Sequence, residues 1–457
     1  MTARTFTDLR AEWRPALLAG LTEHVTRLRW SAERIRAHQR DRLRALLAHA
    51  IAHSPFHRAR LGGVDPERFE LEDLARLPVM TKPEMMDRLD DVFTDRELTA
   101  EAVERALAAT DREPVPIHGR YVAMASGGSS GRRGVFVLDR DAGLEYIGSL
   151  ARPLMARLLA AGGPPPGGLP IPIVCAASAV HATGTAPAWT AAGDLPFRFL
   201  PVPVTLPPGE IVERLNAIAA PMLYGYASML ARLAAERRAG RLRVRPQMIV
   251  STSETLRPEM RADISDAFGA PVVDTFGSTE GLVGHSAPDD SILVFNSDVC
   301  IVELVDADDR PVPDGVPSEK IVVTNLANRL QPLIRYAIGD SFVRRAPAPD
   351  HGHLRAIAQG RSDEVLRYDR VEIHPLVIRS VLVTEPAVLD YQVRQTRRGV
   401  EVIALAAGAV DVGDLGRRIA SGLGTAGLAD PEVTVRTASA LDRDPRSGKI
   451  RRVIPVA

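Results

Sequence analysis

Lysine is scarce in this 457-residue sequence. Of its 57 basic residues only Lys82, Lys320 and Lys449 are lysines, and the other 54 are arginines. Cysteine is scarce as well, with Cys175 and Cys300 alone. Two cysteines exclude a disulfide framework and are typical of a reducing compartment, so we expect a cytoplasmic protein.

The chain also lacks net charge and long apolar runs. Acidic and basic residues balance at 57 each, so no basic field indicates a nucleic acid or a membrane surface as partner. No run of about 18 apolar residues predicts a membrane span, and the first residues have no apolar core of signal-peptide length. The length predicts two or three domains with ample room for a core.

The pattern of apolar residues predicts an α/β fold. Residues 31–53 have the spacing of one amphipathic helix that Ser31 can cap. From about residue 120, short apolar runs such as "MLYGY", "QMIVSTS" and "PVVDTF" alternate with helical stretches, which favours βα units and a largely parallel sheet. "SILVFNSDVCIVELVD" and "EKIVVTNL" indicate consecutive strands instead. The last ~95 residues predict a separate small α+β domain.

Two loops have the composition of anion sites. "ASGGSSGRRGVFVLD" (125–139) joins glycines and hydroxyls to two arginines and precedes a strand, which suits a polyphosphate, although the spacing is not that of a Walker loop. "VVDTFGSTEGL" (272–282) follows a predicted strand, where parallel sheets bind ligands. In it Thr279 can donate to a phosphate or carboxylate oxygen, and Glu280 is a ligand suited to Mg²⁺. Each loop alone is also compatible with an ordinary connection.

Two further turns could hold a ribose. In "LIRYAIGDSFVRR" (333–345), Asp340 could accept hydrogen bonds from a diol, and in "AQGRSDEVLRYDRVEIHP" (358–375), Arg361 offers a second contact. "GD" and "GR" turns are common, so neither is specific by itself.

Taken in order, five motifs resemble the adenylate-forming superfamily of acyl-CoA synthetases and related ligases: the Ser/Gly loop, F-G-S-T-E, Y-x-x-G-D, G-R-S-D and the terminal P-R-S-G-K. "LRALLAHAIAHSPFHRARL" (43–61) and "EDLARLPVMTKPEMMD" (72–87) make the chain most similar to the phenylacetate–CoA ligase branch. The resemblance extends over nearly the whole chain.

The resemblance implies ATP and coenzyme A as co-substrates and Mg²⁺ as a cofactor, with a role for each matched residue. Ser129, Ser130, Gly131 and Arg132 would surround the β- and γ-phosphates, Thr279 would hold the α-phosphate, and Glu280 would bind Mg²⁺. Phe276, followed by Gly277 and Ser278, would stack on adenine, and Ser253, Glu254 and Thr255 would line the base. Asp340 and Arg361 would hold the ribose.

The same resemblance implies a large adenylate-forming domain over residues 1–362 and a small mobile domain over residues 363–457, hinged at Asp363. Lys449, on the small domain, would bridge the carboxylate and the α-phosphate during adenylation. A compact ammonium can lie between two oxygens, whereas the planar guanidinium of arginine fits two-pronged partners better. A homodimer is also compatible with the resemblance.

Position and resemblance together indicate an acyl pocket. His181 in "CAASAVHATG" (175–184) could lie beside the acyl group, and Tyr224, Ser228 and Met229 in "YGYASML" (224–230) could form the floor. A histidine beside small residues is also compatible with a structural role. The acid, whether aryl or acyl, is not readable from these residues.

Three departures from the family pattern leave the acceptor open. Arg133 and Gly134 replace a Pro-Lys pair, Phe276 replaces the commoner tyrosine, and Arg370 stands where the family has a glycine beside the pantetheine arm. An arginine there could obstruct the thiol tunnel or pair with a CoA phosphate.

The first hypothesis is therefore an AMP-forming acyl– or aryl–CoA ligase. The second is an adenylating enzyme with another acceptor, such as an amine, a carrier protein or a small inorganic nucleophile. The third is a non-catalytic nucleotide-binding homologue. His285 and Cys300 offer too few ligands for the zinc cluster of some relatives, so no zinc is expected.

Overall fold

The structure is a computed structural model that divides into two compact units, residues 1–359 and 360–457. It describes residues 4–126, 134–176, 178–193, 195–204, 206–361, 366–369, 371–373, 376–382, 385, 387–406, 408–443 and 450–456, with the backbone alone at 360, 361, 372, 376, 379, 380 and 389. Asp363 and Arg370 therefore lie outside the described residues, as does Lys449.

The helices of the first unit precede and flank its strands. They are α1 (Phe6–Arg27), α2 (Ala32–His53), α3 (Pro55–Leu61), α4 (Lys82–Asp87), α5 (Leu89–Val92), α6 (Ala100–Ala109), α7 (Arg140–Ala160), α8 (Ala182–Thr190), α9 (Pro208–Ile218), α10 (Ala227–Arg238) and α11 (Pro258–Phe268), with a 3₁₀ helix at Leu71–Arg76. The predicted capped helix is α2, whose Arg34 N–H donates to the Ser31 side chain. No helix in the described ranges is long and apolar enough to cross a bilayer.

The strands of the first unit form one large sheet and two smaller ones. They are β1 (Val122–Ala125), β2 (Val135–Leu138), β3 (Leu169–Cys175), β4 (Phe197–Pro203), β5 (Met222–Tyr226), β6 (Met248–Thr252), β7 (Val272–Gly277), β8 (Val283–Ser286), β9 (Leu293–Phe295), β10 (Cys300–Val305), β11 (Lys320–Asn325), β12 (Tyr336–Ile338), β13 (Asp340–Arg344) and β14 (Arg355–Arg361). The sheet of nine strands has the order β13-β14-β9-β8-β7-β6-β5-β3-β4, β1 pairs with β2, and β10, β11 and β12 form a third sheet.

The large sheet is parallel from β4 to β7 and antiparallel from β7 to β9. The predicted α/β class is therefore confirmed. Strands covered by helices on both faces are expected to be apolar throughout. In β7, Val272 packs with α9–α11, whereas the next residue, Val273, packs with α1 and α7 on the opposite face.

Helix α1 lies directly on α7 because two glycines of α7 leave room for large side chains. A Cβ atom at Gly143 would come within 2.4 Å of the Trp13 ring, and one at Gly148 within 2.3 Å of the His24 ring. Trp13 is 2% exposed and stacks on Trp189, with ring centroids 5.2 Å apart. The first helix is thus part of the wall that covers one face of the sheet.

The second unit has its own α+β core. Its elements are β15 (Leu366–Tyr368), β16 (Val371–Ile373), α12 (Leu376–Leu382), β17 (Val388–Gln395), β18 (Gly399–Ala406), α13 (Val412–Thr425), β19 (Glu432–Ala438) and β20 (Val453–Ile454). Four strands have the order β19-β18-β17-β20, and β15 pairs with β16. Leu415, Ile419 and Leu423 of α13, each 0% exposed, pack into the buried cluster that includes Val402 of β18.

Candidate active site

Four strands of the large sheet end at one edge. β3, β5, β6 and β7 are parallel neighbours, so the loops that follow them meet at the carboxyl ends of these strands. Open parallel sheets bind ligands at such edges. The loops after β5, β6 and β7 carry most of the residues that the sequence predicts for the site.

The β1–β2 hairpin carries the Ser/Gly loop. Its two ends are bonded together, because the Ser126 N–H donates to the Gly134 carbonyl at 2.9 Å and the Gly134 N–H donates to Ser126 Oγ at 2.8 Å. A Cβ at Gly134 would approach the Phe136 ring to 2.9 Å, so the start of β2 has no room for a side chain at this position. The predicted phosphate ligands lie outside the described residues: Ser129, Ser130, Gly131 and Arg132.

Thr279 and Glu280 lie in a tight hairpin turn between β7 and β8. The Ser278 N–H donates to the Leu282 carbonyl at 2.9 Å, and the Gly281 N–H donates to the Ser278 carbonyl at 3.1 Å. Gly281 has φ +102°. This is the pattern of a three-residue hairpin loop that ends in a left-handed residue, a position that favours glycine.

Two buried asparagines hold the backbone of this turn. Asn325 Nδ2 donates to the Glu280 carbonyl at 2.7 Å, and Asn296 Nδ2 donates to the Gly281 carbonyl at 3.1 Å. The asparagines are 4% and 2% exposed. A Cβ at Gly281 would lie 2.2 Å from Asn325 Nδ2, so this turn can approach the amide only with glycine there. Sequence reasoning missed both asparagines, since an Asn near a strand end has no local signature.

The acidic residue of the turn is largely withdrawn from water. Glu280 is 7% exposed, whereas Thr279 is half-buried, and its hydroxyl makes no hydrogen bond within the described part of the chain. Burial, followed by the nearby Glu280 carboxylate, raises the pKa of both Tyr146 and Tyr336. The Tyr336 side chain is fully buried, and its hydroxyl has no partner among the described residues. The turn therefore combines a hydroxyl donor with a carboxylate in a place of low polarity.

Phe276, just before the turn, belongs to an aromatic group. Its ring lies edge-to-face against Phe295 and Phe342, with centroids 5.8 and 5.3 Å away. The residue remains half-buried, as are Gly277 and Ser278 after it. The Ser278 hydroxyl is buried without a partner in the described ranges.

The loop after β6 holds a strained residue. Ser253 has φ +62°, a left-handed conformation that few residues other than glycine adopt. Such strain is concentrated at functional sites. Thr255, two residues on, is exposed.

Glu254 and Ser228, predicted for different subsites, are in contact. The Ser228 N–H, in the first turn of α10, donates to Glu254 Oε2 at 2.8 Å. A carboxylate at a helix N-terminus satisfies a free backbone donor and complements the helix dipole. The Ser228 hydroxyl is buried without a partner in the described part of the chain. Glu254 thus links the loop after β6 to the helix after β5.

The other predicted acyl-pocket residues differ in burial. Tyr224 is half-buried and lies edge-to-face against Phe199, at 5.7 Å between centroids. Burial raises the pKa of Tyr224 to about 12, so the phenol stays protonated at neutral pH. Met229 is 3% exposed and packs in the apolar cluster of α9, α10 and α11.

His181 joins the loop after β3 to the base of the Ser/Gly loop. Its Nδ1 donates to the Ala125 carbonyl at 3.3 Å, and the Ala125 N–H donates to the Val180 carbonyl at 2.8 Å. His181 also occupies the N-cap position of α8. The ring is half-buried, so this contact is compatible with the pocket role that the sequence predicts for His181 as well as with a structural role.

Known proteins show what this arrangement resembles. No protein-family model matches the chain. A phenylacetate-coenzyme A ligase of Thermus thermophilus is 26% identical over 383 residues, which are 80% of this chain and 79% of that protein. A solved 2-hydroxyisobutyryl-CoA ligase, in the postadenylation state with R3-HIB-AMP, superposes with a TM-score of 0.67 at 21% identity, covering 93% of this chain and 90% of its own. The chain has the fold of adenylate-forming CoA ligases. An open form of the same ligase, with 2-HIB-AMP and CoA, superposes with a TM-score of 0.57.

The remaining predicted residues of this adenylate-forming fold lie beyond the turn region. Asp340 is half-buried and begins β13. Arg361 is the last residue of β14, and its side chain lies outside the described residues.

The two residues considered for zinc are separately engaged. Cys300 is fully buried, and burial raises the pKa of its thiol. His285 Nε2 donates to the Ser149 carbonyl at 3.4 Å, so its Nδ1 accepts from the Thr275 hydroxyl at 3.1 Å. Burial lowers the pKa of His285 to about 3, which keeps it neutral. Within the described ranges no group of three or more His, Cys, Asp or Glu side chains could hold a metal ion.

Proposed function

We propose that this protein is an ATP-dependent ligase that converts a carboxylic acid into an acyl adenylate and then transfers the acyl group to coenzyme A. The observation that carries the proposal is the Thr279–Glu280 turn, where a hydroxyl with no partner among the described residues stands beside a buried carboxylate at the carboxyl end of β7. The 26% identity to a phenylacetate-coenzyme A ligase over most of both chains supports it.

The reaction has two steps. A carboxylate oxygen of the acid attacks the α-phosphorus of ATP, the bond to the β-phosphate oxygen breaks, and pyrophosphate leaves. The thiol of CoA then attacks the acyl carbonyl, loses its proton, and displaces AMP. Both steps gather negative charge on phosphate oxygens, so catalysis depends mainly on positioning and electrostatics.

The described residues suit the first step. The Thr279 hydroxyl can donate to an α-phosphate oxygen, and the half-buried Phe276 ring can stack on adenine. Ser253 and Glu254 lie on the neighbouring loop, after β6, where the base would be lined. We propose that Asp340 and Arg361 bind the ribose and that residues 129–132 bind the β- and γ-phosphates.

Glu280 fits a magnesium ion that the nucleotide itself helps to hold. Mg²⁺ usually takes one or two protein carboxylates and completes its shell with phosphate oxygens and water. When bound, the ion would neutralise charge on the phosphates, and Glu280, 7% exposed, would anchor it.

Lys449 would supply the cation that joins the two reactants, and the second unit would move about a hinge at Asp363 to deliver it. The acid would lie beside Tyr224, with His181, Ser228 and Met229 as further pocket residues. A cytoplasmic homodimer is part of the same proposal; sedimentation velocity would measure the oligomeric state.

The test is a panel of aryl, fatty and amino acids incubated with ATP and Mg²⁺, with and without CoA. Pyrophosphate release that needs one acid, with a thioester formed only when CoA is present, is the expected result. A second candidate is an adenylating enzyme with a non-thiol acceptor, because Arg370 stands where the family has a glycine beside the pantetheine arm and could obstruct the thiol tunnel as readily as pair with a CoA phosphate. Pyrophosphate release without thioester, while an amine or another nucleophile is consumed, would establish that candidate instead. No ATP cleavage with any acid would refute both.

A further inference from the structure

The outer edge of the β1–β2 hairpin is completed by side chains rather than by another strand. β2 pairs with β1 along one edge. Along the other, the Val137 N–H donates to Gln331 Oε1 at 2.7 Å, and Gln331 Nε2 donates to the Val135 carbonyl at 2.9 Å. Asn328 Nδ2 donates to the Val137 carbonyl at 2.9 Å. Two amide side chains therefore take the place of a neighbouring strand directly after the Ser/Gly loop.

The same short segment also holds the Thr279–Glu280 turn. Asn325 Nδ2 donates to the Glu280 carbonyl, and Asn325 Oδ1 accepts from the backbone N–H groups of Ala327 and Asn328 at 2.9 and 3.1 Å. Asn328 Oδ1 accepts from the Gln331 N–H at 3.0 Å. A continuous series of hydrogen bonds thus runs from the turn after β7 to strand β2.

All members of this series are buried. Asn325, Asn328 and Gln331 are 4%, 3% and 0% exposed, so water cannot replace a broken bond. A buried polar group that loses its partner is costly, and bonds in a low-polarity network strengthen one another. The turn and the hairpin are consequently not free to shift independently.

We propose that Asn325, Asn328 and Gln331 form a clamp that fixes the distance between strand β2, which follows the Ser/Gly loop, and the Thr279–Glu280 turn, and that they are positioning residues for adenylate formation. This rests on the proposed function, in which one loop holds the β- and γ-phosphates and the other the α-phosphate. In-line attack requires those phosphates to be held in one geometry, and small misplacements slow such reactions steeply. The clamp acts on the reaction only through the two loops.

A clamp and three unrelated structural contacts predict different results. In a clamp, a substitution at the turn also loosens strand β2, and substitutions at both ends slow the reaction little more than one does. Unrelated contacts would each loosen only their own surroundings, and their effects on kcat would multiply. The variants Asn325→Asp and Gln331→Glu distinguish the two cases. Each replaces the amide NH₂ donor by a carboxylate oxygen and leaves the side chain with nearly the same shape.

Hydrogen exchange of the purified full-length chain measures the linkage directly. We expect Asn325→Asp to speed exchange in residues 134–138 of the hairpin as well as in residues 278–283 of the turn. Gln331→Glu, at the hairpin end, should likewise speed exchange in residues 278–283 as well as in residues 134–138. Asn216→Asp is the matched control, because Asn216 likewise bonds two backbone groups, the Arg241 carbonyl at 2.9 Å and the Arg243 N–H at 2.7 Å, but at the surface end of α9. Faster exchange confined to the mutated end would overturn the proposal.

Kinetics provide the second measurement. Each single variant should lower kcat for pyrophosphate release by about 10- to 100-fold, with KM for the acid changed by less than about twofold. The double variant should be no slower than the slower single variant, whereas multiplied losses would refute the clamp. If a single variant fails to fold, Asn328→Ser serves instead, since it removes the donor to Val137 but keeps an oxygen for Gln331. If the unmodified protein never cleaves ATP, the proposed function fails and the exchange experiment still tests the clamp.

Discussion

The turn after β7 and the loop after β6 are neighbours at the edge of the sheet but are held in opposite ways. In the turn, the left-handed position is occupied by Gly281, and buried asparagine amides bind the backbone carbonyls. In the loop, a left-handed position is occupied by Ser253, and the side chain of Glu254 binds the start of α10. The turn is bonded through its backbone carbonyls and has glycine at its left-handed position, whereas the loop is bonded through its own Glu254 side chain and has the strained Ser253 at that position.

This difference corresponds to the parts of the proposed substrates that each region would contact. Phosphates are common to every reaction of this class, so a frame built from backbone and buried amides suits them. The base and the acid need side-chain selectivity, and a loop held by side chains can be altered by substitution. The contrast therefore predicts that substitutions near the turn affect rate, whereas those near the β6 loop affect affinity and stability.

The largest loss of activity should come from removing the ammonium group of Lys449, which belongs to neither the turn nor the loop after β6. Lys449→Ala should slow adenylate formation by about 10²- to 10³-fold, because charge on the meeting oxygens loses its stabilisation. Thioester formation from a preformed acyl adenylate should change only a few-fold, as rapid-quench assays would measure. Lys449→Arg is the control for charge without the compact shape. Equal losses in both steps would contradict a role confined to adenylation.

Acid should weaken the support of the turn region. His57 is fully buried and its Nε2 donates to the Pro332 carbonyl, next to the clamp, at 2.9 Å. Burial lowers the pKa of His57 from 6.5 to about 4. The unfolded chain therefore binds more protons than the folded one between these values, and the stability present above pH 6.5 is lost as the pH falls toward 4, by up to about 3 kcal/mol.

Urea unfolding between pH 4 and 7.5 checks this prediction. His57→Gln keeps a nitrogen donor but cannot be charged, so its free energy of unfolding should fall less steeply with acid than that of the unmodified protein. His53→Gln, at an exposed position of α2, is the matched control for the loss of a histidine, and its slope should differ from that of the unmodified protein by less than the slope of His57→Gln does. Identical slopes for all three proteins would show that His57 is not the titrating group.

Substitution of one carboxylate in each region, Glu280 in the turn and Glu254 in the loop after β6, tests the contrast between them. Glu280→Gln should lower kcat/KM for MgATP by about 100-fold and raise the Mg²⁺ concentration required, because the turn loses its anionic ligand. Glu254→Gln should change kcat/KM by less than about fivefold and lower the free energy of unfolding by about 0.5–1 kcal/mol, through its weaker bond at the start of α10. Steady-state pyrophosphate assays at several Mg²⁺ concentrations provide the comparison. Similar losses of kcat/KM in both variants would contradict the difference between the two regions.

The smallest effect should come from relieving strain. Ser253→Gly should raise the free energy of unfolding by about 0.5–1 kcal/mol, the left-handed penalty less the added entropy of glycine. Ala219→Gly is the matched control, since Ala219 has φ +48° at the end of α9. If Ser253 lines the base, Ser253→Gly alone should also raise KM for ATP. Equal KM values in the two variants would remove Ser253 from the site.

Local patterns were sufficient to predict much of this architecture. The capped helix α2, the alternation around β5, β6 and β7, and the strands β9 to β11 are all as expected, because helix caps and apolar spacing act within a few residues. The order of short motifs predicted the Thr279–Glu280 loop. What could not be predicted depends on long-range placement: Asn325 meets Glu280 across 45 residues, and Gln331 meets Val137 across 194. The contact between Glu254 and Ser228 likewise joins two loops that only the sheet brings together.

The packing of α1 on α7 bears on how this protein can be handled in the laboratory. Trp13 and His24 occupy the hollows above Gly143 and Gly148 of α7, so a shortened chain that starts after Arg27 would leave two cavities there. The same helix carries Tyr146, whose pKa the Glu280 carboxylate helps to raise. Trimming the amino terminus, a routine step before crystallisation, would therefore be expected to cost activity and solubility. Affinity tags are better attached ahead of Thr5, which caps α1, than substituted for the helix itself.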